Sequence, residues 1–274
     1  MYTLNCRGAL LVLDQPVVMG IINLTPDSFF SGSRKEQVSA VLAKAEQMIR
    51  EGATLLDIGA QSTRPGSNYL TAAEEWARLE PVLPVLLEKF PSCFFSIDTF
   101  HARVAEQAAA MGIHMVNDIS AGLLDPAMLA VVAAAGLPFI AMHMKGTPQT
   151  MQSLAQYTDL ITKLTDYFLE RVNSCKAAGI KDIILDPGFG FAKTISHNFQ
   201  LLRALDQLQL LGHPLLVGLS RKSMITKTLG VPAEAALNGT TVLNTLAVLK
   251  GASILRVHDV KEAMEVIKLV KTDH

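Results

Sequence analysis

The chain of 274 residues is half hydrophobic, only 18% charged, and carries a formal net charge of -1. That ratio favours one large buried core over two small ones. The neutral balance excludes the basic footprint of general nucleic-acid binding, so any anionic ligand must be held by local groups.

Cys6, Cys93 and Cys175 lie far apart with no CxxC spacing. They read as thiols of a reducing compartment, not as a disulfide frame or a zinc site. The apolar run Ala9–Leu13 is stopped by Asp14 and is too short for the core of a secretion signal. Met128 to Met142 holds no charge over 15 residues. Gly136 and Pro138 divide it, and it falls short of the ~18 residues of a membrane span. A soluble, cytoplasmic protein without a membrane or nucleic-acid partner is expected.

Taken in order, Thr3 to Leu13 with Gly8 at its middle predicts a short N-terminal hairpin. Strand one follows at Val17–Asn23, with a long polar loop after it. Val38, Val41, Leu42, Ala45, Met48 and Ile49 repeat at helical spacing, and Gly52 ends that helix. Strand two, Leu55–Ala60, leads through a second long loop to a helix from about Ala72 to Lys89. Strand three (Phe94–Asp98) runs into a helix through Met111, and strand four (Met115–Ile119) into a helix ending at Ala135. Strand five (Phe139–His143) precedes a helix with Leu160, Leu164, Phe168, Val172 and Cys175 on one side. Strand six is Ile183–Asp186, in the stretch IILDPGFGFAK. Strands seven (Leu215–Leu219) and eight (Ile254–His258) complete the series.

Eight βα units without a linker make residues 1–274 one α/β domain. Continuously apolar strands mean that both faces are covered, as in a parallel sheet, and eight of them close most economically into a (β/α)8 barrel. An open doubly wound sheet is the alternative. It would carry a glycine fingerprint after strand one, where this chain reads Gly-Ile-Ile-Asn-Leu-Thr.

Apolar runs end in Asp57, Asp98, Asn117-Asp118, His143, Asp186, Lys222 and His258. One such ending is ordinary turn capping; nearly every strand ending so marks an active-site rim, because barrel strand ends share one mouth. Asp98, Asp186, Asn117 and Lys222 would line a deep floor suited to a flat heteroaromatic ring. A ring N–H beside an exocyclic NH2 offers a carboxylate a two-point fork. Arg256 and Phe191 would close on the ring faces.

A second set, Asn23, Thr63, Arg64, Arg256 and His258, suits a diphosphate. Asn23 is a partial Mg²⁺ ligand in that reading, since Mg²⁺ keeps waters and leans on substrate oxygens. His258 alone would read as structural, but its spacing from Arg256 puts both on one strand face. No zinc spacing, GxSxG or Walker A motif occurs. What remains is positional and electrostatic catalysis around a leaving diphosphate.

The segments MGIINLTPDSFF, DIGAQSTRPGS, SIDTF, VNDIS, MHMKGTPQ, LDPGFGF, GLSRKS and RVHDV, in this order over nearly the whole chain, resemble the motifs of the dihydropteroate synthase family. The resemblance implies a pterin-binding TIM barrel that joins 6-hydroxymethyl-7,8-dihydropterin diphosphate to 4-aminobenzoate, with Mg²⁺ as cofactor. It also implies a homodimer and sensitivity to sulfonamides. By this resemblance the pterin lies on Asp98, Asn117, Asp186 and Lys222 with Arg256 stacked on it. Diphosphate and Mg²⁺ lie on Asn23, Arg256 and His258, with Thr63 and Arg64 closing from the second loop. Aminobenzoate lies between Phe29, Pro65, Phe191, Lys222 and Ser223. The implied chemistry is dissociative, with Asp98 beside a pterin cation and Lys222 and Arg256 as its catalytic neighbours.

Two departures stand out. Ser31 occupies a place where relatives often carry Asp, and Ala60-Gln61 replaces a frequent Gly-Glu at the start of the second loop. The nearest rival is a pterin barrel that moves a methyl group from methyltetrahydrofolate to a corrinoid protein, and it would not need STRPG, SRKS or a diphosphate clamp. A second rival is a pterin-binding relative that has lost condensation. Phe29, Pro65, Lys222 and Ser223 argue against it.

Overall fold

The computed structural model describes residues 1–24, 34–61, 69–147, 149–151 and 153–271, with backbone only at 34 and 35. The chain opens with the expected hairpin, β1 (Tyr2–Cys6) paired antiparallel with β2 (Ala9–Leu13). Arg7 and Gly8 both take positive φ at its tip, 60° and 90°, as a two-residue turn matched to strand twist requires.

Eight parallel strands follow: β3 (Val17–Asn23), β4 (Leu55–Gly59), β5 (Phe94–Asp98), β6 (Met115–Asp118), β7 (Phe139–Met142), β8 (Ile183–Asp186), β9 (Leu216–Val217) and β10 (Ile254–Val257). Their hydrogen-bonded order runs β8-β7-β6-β5-β4-β3-β10-β9. A bridge between Leu185 and Leu215 joins the two ends of that order, so the sheet meets itself as a barrel. The expected fold class is therefore the observed one. β9 is shorter than the expected Leu215–Leu219, because it pairs regularly only with β10 and touches β8 through that single bridge.

Helices α1 (Arg34–Glu51), α2 (Ala72–Leu79), α3 (Leu83–Lys89), α4 (Ala102–Met111), α5 (Met128–Ala135), α6 (Leu160–Ala178), α7 (Ile195–Arg203), α8 (Ser223–Leu229), α9 (Leu237–Leu249) and α10 (Val260–Val270) cover the described outer wall. The single helix expected over 72–89 is two. Pro81 has no N–H to continue α2, and Pro84 sits in the first turn of α3 where no such donor is needed. Thr71 starts α2 with a reciprocal capping box to Glu74. No helix among the described residues is long and apolar enough to cross a membrane.

Strand alternation separates two cores. Outward residues such as Ile58, Phe95, Ile97, Phe139 and Leu255 join the helices in the main core. Inward residues Val17, Met19, Leu55, Met115, Ile140, Ile184, Leu216 and Ile254 pack with Leu4, Cys6, Leu11 and Leu13 of the hairpin, which plugs the lower end. Two positions along the same inward face, Leu55, Met115, Ile184 and Ile254 give way to Asp57, Asn117, Asp186 and Arg256. A period of two keeps each pair on one side of its strand. The barrel is thus apolar below and polar at the mouth.

Candidate active site

At that mouth Arg256 is the hub. Its Nε donates to Asp57 Oδ2 at 2.6 Å and its Nη2 to Asp98 Oδ2 at 2.7 Å. Asn117 Nδ2 donates to the same Asp57 oxygen at 2.9 Å. Register places Asn23, Gly59, Asp98 and Asn117 in one row across β3 to β6. Gly59 leaves room there, since a Cβ would stand a tight 3.2 Å from that of Asp98. Asp57 lies one layer lower, fully buried, with Oδ1 left without a partner among the described residues.

The loop after β8 supplies the opposite wall. Pro187 ends the strand ladder, and Gly188 N donates to Asp186 Oδ1 at 2.7 Å. Gly188 has φ 68°, and a Cβ on it would fall 2.1 Å from the His143 carbonyl, so only glycine fits. Phe191 follows, with Lys222 Nζ 5.2 Å from its ring centre and bonded to the Phe189 carbonyl. Arg221, at φ 56°, holds the turn that presents Lys222 and Ser223. A two-point bond to Asp259 (3.0 and 2.6 Å) anchors its guanidinium.

On the third side, His258 Nδ1 meets Ser220 Oγ at 2.9 Å. Asn23 ends β3 half-buried, with its carboxamide bonded to none of the described residues.

Burial governs the electrostatics. It raises Asp98 above the usual carboxylate range against the pull of Arg256, with Asp57, Asp118 and Asp186 adding to the rise. Asp186 is raised by burial too, with Lys222 the largest opposing charge. Lys222 is pushed down to about 8, by burial first and then by Arg256, while Asp186 resists. Arg256 is shifted the other way: Asp57 and Asp98 outweigh its burial and fix it as a cation.

Asp98, Asn117, Asp186, Phe191, Lys222 and Arg256 thus converge as the strand-end pattern implied, with Asn23, His258 and Ser223 on the same rim. Phe29, Ser31, Thr63, Arg64 and Pro65 lie outside the described residues. Two members of the strand-end pattern turn away. Asp118 faces outward and accepts from the backbone N–H groups of Ser120 and Gly122, both at 2.8 Å. His143 is buried against Tyr167 and accepts from Lys193. Asp57 belongs to the cluster although no ligand role was read for it. A guanidinium inside the apolar strand Ile254–Val257 needs carboxylates opposite it, and that requirement was the available signal. The departure at Gln61 has a structural result. Its amide accepts from Leu70 N at 2.9 Å and donates to Leu70 O at 3.3 Å, tying together the two sides of segment 62–69.

Two clefts on the outer wall, of about 410 and 510 Å³, contain none of the rim's carboxylates or its Lys222 and Arg256. The chemistry belongs to the mouth.

Fold and rim together define a class: a (β/α)8 barrel with buried carboxylates, an amide, a lysine and an arginine gathered at one mouth. Comparison with known proteins agrees. Residues 19–258 match the family described as pterin binding enzyme. Dihydropteroate synthase of Escherichia coli K12 is 41% identical over 270 residues, covering 98% of this chain and 95% of that protein. The Yersinia pestis dihydropteroate synthase, solved with a sulfonamide drug complex, superposes with a TM-score of 0.92 at 42% identity over 98% of both chains. That of Xanthomonas albilineans, solved with 4-aminobenzoic acid, gives 0.92 at 38% identity over 99% of both. The chain belongs to the dihydropteroate synthase family of pterin-binding enzymes. Its activity is the transferase step of folate biosynthesis that joins the dihydropterin diphosphate to 4-aminobenzoate.

Proposed function

We propose that the joining step is dissociative and that the mouth residues divide it as follows. The pterin lies on Asp98, Asn117 and Asp186, its ring N–H and NH2 facing the carboxylates, with Lys222 donating to its acceptor edge and Phe191 and Arg256 against its faces. The bond from the exocyclic carbon to diphosphate breaks first, the electron pair leaving with the diphosphate. Asp98 then faces a carbon cation, and its charge acts on a species that exists only after bond breaking, which is what lowers a barrier. The aniline nitrogen of aminobenzoate attacks that carbon and loses a proton. Phe29, Pro65, Phe191, Lys222 and Ser223 would hold it.

Asn23, Arg256 and His258, with Thr63 and Arg64, would receive the diphosphate. The described residues contain no group of three or more His, Cys, Asp or Glu side chains that could hold a metal unaided. Asn23 does offer a hard oxygen at the mouth, and one protein oxygen plus substrate oxygens and water is a set that suits Mg²⁺. Bound there, Mg²⁺ would neutralise charge on the leaving diphosphate. The expected homodimer is supported by Val242, Leu246 and Leu249, exposed at helical spacing along α9. A cytoplasmic setting is supported by three free, buried thiols.

The convergence of Asp98, Asn117, Asp186, Lys222 and Arg256 on one mouth carries this reading. Diphosphate release with Mg²⁺, measured with and without 4-aminobenzoate, tests it. Release that yields dihydropteroate with aminobenzoate, and slow hydrolysis of the pterin substrate without it, is the expected result. A rate set by aminobenzoate concentration at every pterin concentration, with no sign of bond breaking ahead of attack, would overturn the dissociative order.

A further inference from the structure

Lys193 is a charge that the chemistry above leaves idle. It closes the loop after β8 and is only 3% exposed. Its Nζ donates to His143 Nδ1 at 2.9 Å, to the Gly188 carbonyl at 3.0 Å and to the Phe191 carbonyl at 3.1 Å. The ammonium thereby uses all its donors, and His143 must be the neutral tautomer that accepts at Nδ1. None of the three acceptors carries a charge, yet a buried ammonium without a counter-charge costs several kcal/mol. Burial pushes Lys193 down to about 7, and the carboxylate that opposes this is Asp186, whose field favours the ammonium. The influence is mutual, since Lys193 is among the charges that favour the ionised form of Asp186.

The loop between these two residues is strained. Gly188, Gly190 and Ala192 all take positive φ, at 68°, 84° and 48°. Such a conformation at alanine costs on the order of 1 kcal/mol or more and persists only where its surroundings over-determine it. Here they do. Lys193 grips the carbonyls of Gly188 and Phe191, Tyr157 Oη donates to the Ala192 carbonyl at 3.0 Å, and Asn198 accepts from Gly190 N at 2.7 Å. Lys222 reaches the same loop from the mouth side, at the Phe189 carbonyl and the Phe191 ring.

We propose that Lys193 is a positioning residue of the pterin site: from the buried side it fixes the loop that carries Phe191 and supplies the positive charge behind Asp186. The proposal rests on the reading of Asp186 and Phe191 as pterin contacts. It places the two lysines on opposite sides of Asp186, Lys193 on the buried side and Lys222 on the mouth side, where it also serves the ligand. A lysine that merely braced the loop would do the first without tuning Asp186.

The other ionisable groups around the pair are Asp98, Lys222 and Arg256 across the mouth, His143 and Lys145 beyond β7, Tyr157, Tyr167 of α6 and His197 of α7. Of these, Lys222 and Arg256 also act on Asp186, and neither is altered in the test. Equilibrium binding of a pterin lacking the diphosphate is measured from pH 5 to 8.5 on the full chain for wild type, Lys193→Met, Lys193→Gln and Asp186→Asn. Lys193→Gln keeps a donor for the carbonyls and guards against loss of the fold in the Met variant. Both Lys193 variants are expected to bind at least tenfold more weakly at pH 7. Both are also expected to shift the acid limb of the affinity profile upward by about one pH unit, as removal of one nearby charge does. An unmoved acid limb in the folded variants overturns the proposal, whatever the affinity. Should Asp186→Asn bind like wild type, the pterin-floor reading fails and takes the proposal with it. Weak binding by Asp186→Asn beside normal Lys193 variants removes the Lys193 role alone.

Discussion

Asp57→Asn isolates the charge that holds Arg256 in place. The parent carboxylate accepts from Arg256 Nε and Asn117 Nδ2 through one oxygen, Oδ2. An asparagine oxygen at that position can still accept both, so the hydrogen-bond outline survives. Two things change. Arg256 keeps only Asp98 of its two hydrogen-bonded carboxylates, and an NH2 replaces Oδ1, which is buried without a partner among the described residues. Hydrogen bonds to charged groups contribute about 1.5–3 kcal/mol, and an unpaired buried donor costs a similar amount. A loss of about 1.5–3 kcal/mol in the placement of Arg256 corresponds to roughly 10- to 150-fold in kcat/KM for the pterin diphosphate. The assay is steady-state dihydropteroate formation at saturating aminobenzoate, with a thermal melt of the same preparation. Asp57→Ala should lose more activity and also melt lower, because it strands two donors. A kcat/KM for Asp57→Asn within twofold of wild type would refute the claim that Asp57 positions Arg256.

Other substitutions separate the remaining parts. Lys222→Ala should cut turnover by about two orders of magnitude, as loss of a charged donor to the reacting ligand does; near-normal rates would remove Lys222 from the floor. Because burial holds Lys222 down to about 8, its ammonium form is present below that pH and lost above it. The rate should fall as pH rises through about 8, and Lys222→Arg should abolish that alkaline limb if Lys222 is its source. Glu75 is fully buried, with the His101 ring 3.8 Å from its carboxylate. Burial raises it from 4.5 to about 8, so the stability linked to its proton is complete below 4.5 and lost as pH rises through 8. Glu75→Gln should therefore raise Tm by roughly 5 °C at pH 8 and by little at pH 4.5; equal shifts at both would count against it. Gln61→Glu leaves Leu70 O without the amide donor, and a several-fold rise in KM for the pterin diphosphate is expected from about 1 kcal/mol, with unchanged KM as the refuting result.

The barrel was legible because its strands carry two messages at once. Continuous apolar runs such as Ile183–Leu185 declare a sheet covered on both faces, and the acids that end them declare the mouth. Asp98 and Asp186 could be read this way since each terminates its strand. Asp57 also ended an apolar run, but its pairing with Arg256 could not be read, because Ile58 and Gly59 continue β4 beyond it and set it a layer below the rim. Its role depends on register, and register follows from pairing that no local stretch encodes. His143 misled for the opposite reason. It ends an apolar run as the rim residues do, but the inward position on β7 is Met142, and alternation turns His143 toward Lys193. Lys193 itself was invisible to spacing, since only a loop with three positive φ angles returns its ammonium to the two carbonyls it holds. The break between α2 and α3 was readable from Pro81 and Pro84, yet apolar periodicity on both sides masked it.

The charge arrangement explains why the barrel, and not its loops, carries the acids. Asp57, Asp98 and Asp186 stand against Arg256, Lys222 and Lys193, so the cluster is close to neutral when all six are ionised. A pterin diphosphate entering it brings negative charge, which the cluster alone cannot absorb. Under the proposed reading that need falls on Arg256 and His258 at the rim, on Mg²⁺, and on Arg64 of the second loop. Once diphosphate departs, under the dissociative reading, the balance reverses and a carbon cation faces Asp98. The carboxylates must then already be in position, because reorienting them in water would cost as much as the charge stabilisation returns. Holding them on β4, β5 and β8, each braced by a neighbouring cation, removes that reorganisation. Acids on a mobile loop would have to find their places after the bond had broken, when water is the competing nucleophile.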